Sequence, residues 1–189
     1  MIIDELITDR TQADVDALIA LIKNGDWSNA DDLQALENSK GAYNYTDVNR
    51  VESAVAYLAA AYVQAPLDLR QYASDHGVAW DDYFDVPYDP DDYDDITTKT
   101  DWAQTDIPSV SDMTRYLGNV ALIQAAFPSP VILPQSMNNL DFNGANNIER
   151  ALVSAYNAFT DMLAIREGYI RSAMEVSYAG EIYSGEGIA

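Results

Sequence analysis

Tyr45-Thr46-Asp47-Val48-Asn49-Arg50-Val51-Glu52-Ser53-Ala54-Val55 and Phe142-Asn143-Gly144-Ala145-Asn146-Asn147-Ile148-Glu149-Arg150-Ala151-Leu152 are two versions of one pattern. They share an aromatic residue, a capping residue, Asn, Glu and Ala at matching steps. The apolar phase continues beyond them: Val48, Val51, Val55, Leu58 and Tyr62 against Ala145, Ile148, Leu152, Ala155 and Phe159. Steps of three and four residues place one narrow stripe on each helix, the pattern of a bundle seam. Two such helices face each other or a common third. The expectation is an all-α domain, a bundle of about four main helices with an internal helix repeat.

Working outward, Thr11-Gln12-Ala13-Asp14 has the form of a capping box, and Val15, Leu18, Ile19 and Ile22 mark a stripe that Gly25 ends. This predicts a helix over 11–24, and a short one follows near 29–37. The second long helix takes Thr46 as its cap and meets Pro66, where a kink or stop is expected. Ser109-Val110-Ser111-Asp112 caps a third. Pro128, Pro130 and Pro134 then enforce an extended crossing that returns the chain along the bundle, as an overhand connection does. A fourth helix starts near Asn143, keeps phase through Met162 and runs to about Met174. Tyr178-Ala179-Gly180-Glu181 and Tyr183-Ser184-Gly185-Glu186 form a smaller repeat, read as a short hairpin or extended arm over 177–189. The whole chain, 1–189, reads as one helical domain.

Residues 74–100 break the pattern. Nine Asp fall between Asp75 and Asp95, with no Lys or Arg before Lys99. This is expected to be a long acidic surface excursion, partly ordered by its aromatic residues.

The charge narrows the function. Against 31 Asp and Glu stand 10 Lys and Arg, a formal net charge of −21. Such a field repels nucleic acid and anionic membranes, so neither is an expected partner. A DNA mimic would spread its charge along one face, whereas here much of it sits in one loop. Cysteine is absent and His76 is the only histidine, which removes thiolate chemistry and multi-histidine metal sites. The start, Met1-Ile2-Ile3-Asp4-Glu5, lacks the basic residues of a secretory signal, and synthesis in the cytoplasm is expected.

Candidate chemistry is sparse. Asn49 with Glu52, and Asn146 with Glu149, read either as a symmetric carboxylate site or as helix-start residues. On the second reading each Asn bonds back to the cap and each Glu favours the positive helix end. The aspartates invite calcium, but the EF-hand pattern fails from Asp89: position six is Asp94 and position twelve is Thr100. His76 beside Asp75 could be an oriented base, and is more simply a turn residue. A carboxylate-pair hydrolase has no specific support. No catalytic residue, metal or cofactor is therefore assigned. Tyr83, Tyr88, Tyr93, Tyr178 and Tyr183 stand among Asp, Ser, Gly and Pro, a mixture suited to recognition surfaces, and are the candidate partner contacts. The alternative for the first three is that they pin their own loop to the bundle.

Several stretches together resemble a family of small uncharacterised prophage-encoded proteins found beside tail genes. They are Arg10–Val15, Lys40–Val51, Thr100-Asp101-Trp102 with Asp106-Ile107-Pro108, the Met113–Tyr116–Leu117 helix start, Gly144–Glu149 and Tyr178–Glu186. Residues 74–99 look like an insertion relative to that family. The resemblance implies a structural or tail-assembly role without catalysis, association with the virion, and other phage proteins or further copies of the chain as partners. The alternative is a receptor- or carbohydrate-binding module that uses the Tyr/Asp-rich loop, with or without calcium.

Overall fold

The computed structural model describes residues 1–184, with side chains as far as Val176. A 3-10 turn at Ile2–Glu5 precedes α1 (Gln12–Asn24), α2 (Ala30–Glu37), α3 (Tyr45–Asp75), α4 (Asp91–Asp94), α5 (Val110–Ala126) and α6 (Phe142–Ser184). Among the described residues there is no strand, and no helix is long and apolar enough to cross a membrane.

The core is built by α3, α5 and α6. The two repeat helices pack directly on each other and run parallel: Arg50 meets Glu149, Tyr57 meets Tyr156, and Tyr62 meets Phe159. α5 has the same direction, since Arg115 pairs with Glu52 and Phe127 stacks on Tyr62. The predicted stripes are the buried ones. Val51, Val55, Leu58 and Tyr62 of α3 and Ile148, Leu152 and Ala155 of α6 lie inside with Val120 and Ile123 of α5.

Three parallel helices leave two long return journeys. The second is the expected extended crossing, anchored where Gln124 donates to the Val131 carbonyl and Asn147 to that of Ile132. The first is the acidic excursion, and its path explains its composition. It starts beside the far end of α3, where Phe84 is buried with Leu69, Ala73 and Ile170. It passes Tyr62 with Tyr88 and Tyr93, and ends where Trp102 meets Asn49 near the start of α3. Phe84, Tyr88, Tyr93 and Trp102 therefore point inward while Asp81, Asp82, Asp89, Asp91, Asp92, Asp94 and Asp95 face solvent. The excursion is a covering layer of the core.

Three local expectations need correction. Asn44, not Thr46, caps α3: its side chain accepts from the Thr46 N–H at 2.8 Å, and Asp47 closes the capping box. Pro66 does not stop α3, which continues to Asp75. Proline at 66 leaves the carbonyl of Tyr62 without its helical donor, and the Tyr88 hydroxyl donates to that oxygen at 3.1 Å. α3 ends instead at Gly77, whose φ of 67° only glycine adopts freely. There Gly77 N–H donates to Ser74 and Val78 N–H to Ala73, the paired bonds of a Schellman stop. Finally, the tail expected as a hairpin or arm is helix in its described part, because α6 runs through Ser184. Ala173, Met174, Glu175 and Ala179 favour helix, and one glycine at 180 costs only about 1 kcal/mol. Residues 185–189 lie outside the described residues.

α1 and α2 stand apart. Both helices form as expected, with the Thr11–Asp14 capping box and an Asn29 cap, yet neither contains a buried residue. They pack chiefly on each other. The base of the hairpin is fixed by Lys40 to Asp9 at 2.8 Å and by Asn44 donating to the Glu37 carbonyl. Gly41 lies so near α1 that a Cβ would sit 2.2 Å from the Asp14 carbonyl oxygen.

Candidate functional site

The most concentrated buried polarity lies where α3 and α6 begin. Arg10, 3 % exposed, arrives on the segment before α1 and places its guanidinium between Asp47 at 2.6 Å and Glu149 at 2.8 Å. Arg50 engages the same two carboxylates, reaching Glu149 at 3.0 Å. The Ile7 N–H also donates to Glu149, and Arg10 donates back to the Ile7 carbonyl. Two arginines face two acids, so the cluster is neutral, and the buried Arg10 Nε is left without a hydrogen-bond partner in it. Burial works against the Arg50 charge, but Glu149 and Asp47 outweigh it and hold its pKa above the usual arginine value. Beside it the Tyr43 and Tyr116 hydroxyls hydrogen-bond to each other, and burial pushes both phenols well above their ordinary pKa.

The repeated asparagines do the same job twice. Asn146 accepts from the Arg10 N–H at 2.9 Å and donates to the Arg10 carbonyl at 2.8 Å. Asn49 does this to Trp102, with both bonds at 2.8 Å. Each side-chain amide thus imitates a neighbouring strand and locks an incoming extended segment onto the start of a long helix. Three residues on, each Glu takes an arginine: Glu149 as above, Glu52 from Arg115 at 2.6 and 3.0 Å. The Glu52 hydrogen bonds hold the pKa of Arg115 above normal.

Neither sequence-based reading of the pair anticipated this. The asparagines do not bond back to their caps, and the glutamates are committed to separate arginines rather than gathered in one site. The oxygens of both carboxylates are already occupied by hydrogen-bond donors. The arrangement clamps chain segments. Arg10, Trp102, Arg115, Tyr43 and Tyr116 were missed, although one signal was available. Glu52 and Glu149 fall inside the apolar stripes, at the i+4 step from Val48 and Ala145, so each had to be buried and paired.

The remaining candidates are placed as follows. Tyr93 is buried in the core and Tyr88 is half-buried against Tyr62 and Phe127, so these two pin the loop. Tyr83 is 76 % exposed. With Asp81, Phe84 and Tyr169 it frames a shallow pocket of about 380 Å³. Tyr178 and Tyr183 fall within the course of α6, and their side chains lie outside the described part. His76 terminates α3 with Nδ1 2.8 Å from the Tyr72 carbonyl, while Asp75 accepts from Gln71, so the His–Asp pair is not formed. Among the described residues no group of three or more His, Asp or Glu side chains is placed to hold a metal ion. The loop aspartates serve the backbone: Asp81 accepts from the Tyr83 N–H and Asp89 from that of Asp91, and Asp85 takes the Trp80 indole. No family profile, curated protein or solved structure matches this chain.

Proposed function

We propose that the protein is a bacteriophage structural or tail-assembly protein that works by protein–protein contact and not by catalysis. The observation that carries this reading is the length of α6. Its 43 residues outrun the 31 of α3, beside which it runs in parallel register. Ala173 is the furthest α6 residue, among those with described side chains, that packs against a core cluster. The helix backbone continues to Ser184, about 16 Å further at 1.5 Å per residue. Ile165, Tyr169 and Val176 on this half are large, apolar and about half or more exposed. A helix extended beyond its own core gains stability chiefly when another surface buries it. The resemblance to prophage proteins encoded beside tail genes supports the same reading and supplies the setting. Self-association, or binding to a tail component, is the expected partnership.

The test is sedimentation of the full chain and of a chain ending at Val176, each with phage lysate proteins. Loss of association on truncation, with the circular dichroism of the rest of the body retained, is the expected result. Normal association by the shortened chain would remove α6 from the contact.

A second reading rests on Tyr83. An exposed ring beside Asp81 and Tyr169 is suited to stacking on a sugar and bonding its hydroxyls. That reading requires Tyr83→Ala to lose binding on a glycan array while Tyr88→Phe retains it.

A further inference from the structure

We propose that the α1–α2 hairpin is a docking platform for a basic amphipathic helix supplied by another protein. The proposal stands independently of the assembly reading. Both helices are built with care: α1 has a complete capping box and α2 a side-chain cap. Their apolar stripes nevertheless lead nowhere within this chain. No apolar side chain between Thr11 and Ser39 belongs to either core cluster or packs against one, among the described residues. Ile19, Ile22, Trp27 and Leu33 stay 41 %, 51 %, 42 % and 42 % exposed. Helices of 13 and 8 residues are too short to stand on propensity alone and depend on an amphipathic face being buried.

Charge selects the occupant. Residues 11–39 carry Asp14, Asp16, Asp26, Asp31, Asp32 and Glu37 against Lys23 alone, six acids to one base, a net −5. A second copy would bring another −5 to the same face and −21 overall, so like charges oppose pairing of two hairpins. Anionic lipid is opposed for the same reason. A helix with leucine-like anchors and lysine or arginine at its rims matches both the exposed apolar side chains and the acidic excess of the hairpin, an amphipathic mode of recognition.

The probe is a fluorescein-labelled Leu/Lys amphipathic peptide of about five helical turns, titrated with the full chain and read by anisotropy. Its Leu/Glu counterpart serves as comparator. The Leu/Lys peptide should bind, and the Leu/Glu peptide should not. Ile22→Ser/Leu33→Ser, which leaves the net charge unchanged, should weaken binding at least about tenfold, whereas Val110→Ser, on another exposed apolar position, should not. Binding should also shift tryptophan emission to the blue in the parent chain and not in Trp27→Phe, which keeps the apolar surface. Equal affinity of the parent and the double serine variant would reduce the effect to bulk charge and overturn the proposal. So would absence of binding, or a dimer in sedimentation that the double serine variant splits, which would make a second copy the occupant.

Discussion

Pro66 and Tyr88 show how one residue's defect becomes another's attachment point. The proline removes a donor from inside α3, the freed Tyr62 carbonyl is capped by Tyr88, and the acidic crossing is thereby fixed to the core at its middle. A hydrogen bond to a buried carbonyl contributes about 1 kcal/mol, more when its loss strands the acceptor. Tyr88→Phe should therefore cost about 1–2 kcal/mol in urea unfolding. In a Pro66→Ala background, where the restored backbone N–H can bond to the Tyr62 carbonyl, the same change should cost much less; equal costs would show that the two are not coupled. The asparagine clamps are a stronger case, because each supports both a donor and an acceptor. Asn146→Ala strands the Arg10 backbone in a buried site and should cost about 2–4 kcal/mol, with Asn49→Ala at or below that figure. A loss under about half a kcal/mol at Asn146 would mean that the Arg10 segment is held by its ion pairs alone.

At the scale of elements, what the sequence made legible was whatever depends on local periodicity. The stripes of α3 and α6, the capping boxes at Thr11 and Ser109, and the prolines of the second crossing follow from spacing that any window of a dozen residues contains. What escaped depends on partners far away in the chain. Asn49 and Asn146 look like capping residues until Trp102 and Arg10 are brought to them across 53 and 136 positions. Tyr178 and Tyr183 suggested an arm because Gly and Ser surround them, although helix formers on either side carry α6 through. The excursion looked solvated because its aspartates outnumber its aromatics, whereas its inward face is set by Phe84, Tyr88 and Tyr93. The elements also differ in stability. α1 and α2 lack core contacts, so their amides should exchange with solvent orders of magnitude faster than those of α3. Protection of α1 equal to that of α3 in the isolated chain would show that the hairpin already has a partner surface within the body.

At the scale of the molecule, five tyrosines among the described residues are held with raised pKa values: Tyr43, Tyr62, Tyr88, Tyr93 and Tyr116, in each case chiefly by burial. A phenol whose folded pKa exceeds its unfolded value contributes stability that is complete below the unfolded value, near 10, and is lost as pH rises above it. Urea midpoints should hold steady from pH 8 to about 10, and stability should then fall by roughly 1.4 kcal/mol per pH unit for each tyrosine ionised only in the unfolded chain. Tyr43→Phe should make that fall shallower, and an unchanged slope would show that Tyr43 is not held protonated by the fold. The same organisation bears on the proposed function. The buried charges of the three-helix body hold chain segments together, and Ile165, Tyr169 and Val176 of α6 stay exposed, which is the surface that the proposed contact role would use. The most direct check is peptide mass spectrometry of purified particles and of lysate complexes from an induced lysogen carrying this gene. Peptides of this chain are expected in a fixed ratio to tail proteins, in the particle or in an assembly intermediate. A chain that is abundant in the lysate, migrates alone at its 20.9 kDa mass and is missing from both would contradict the assembly role.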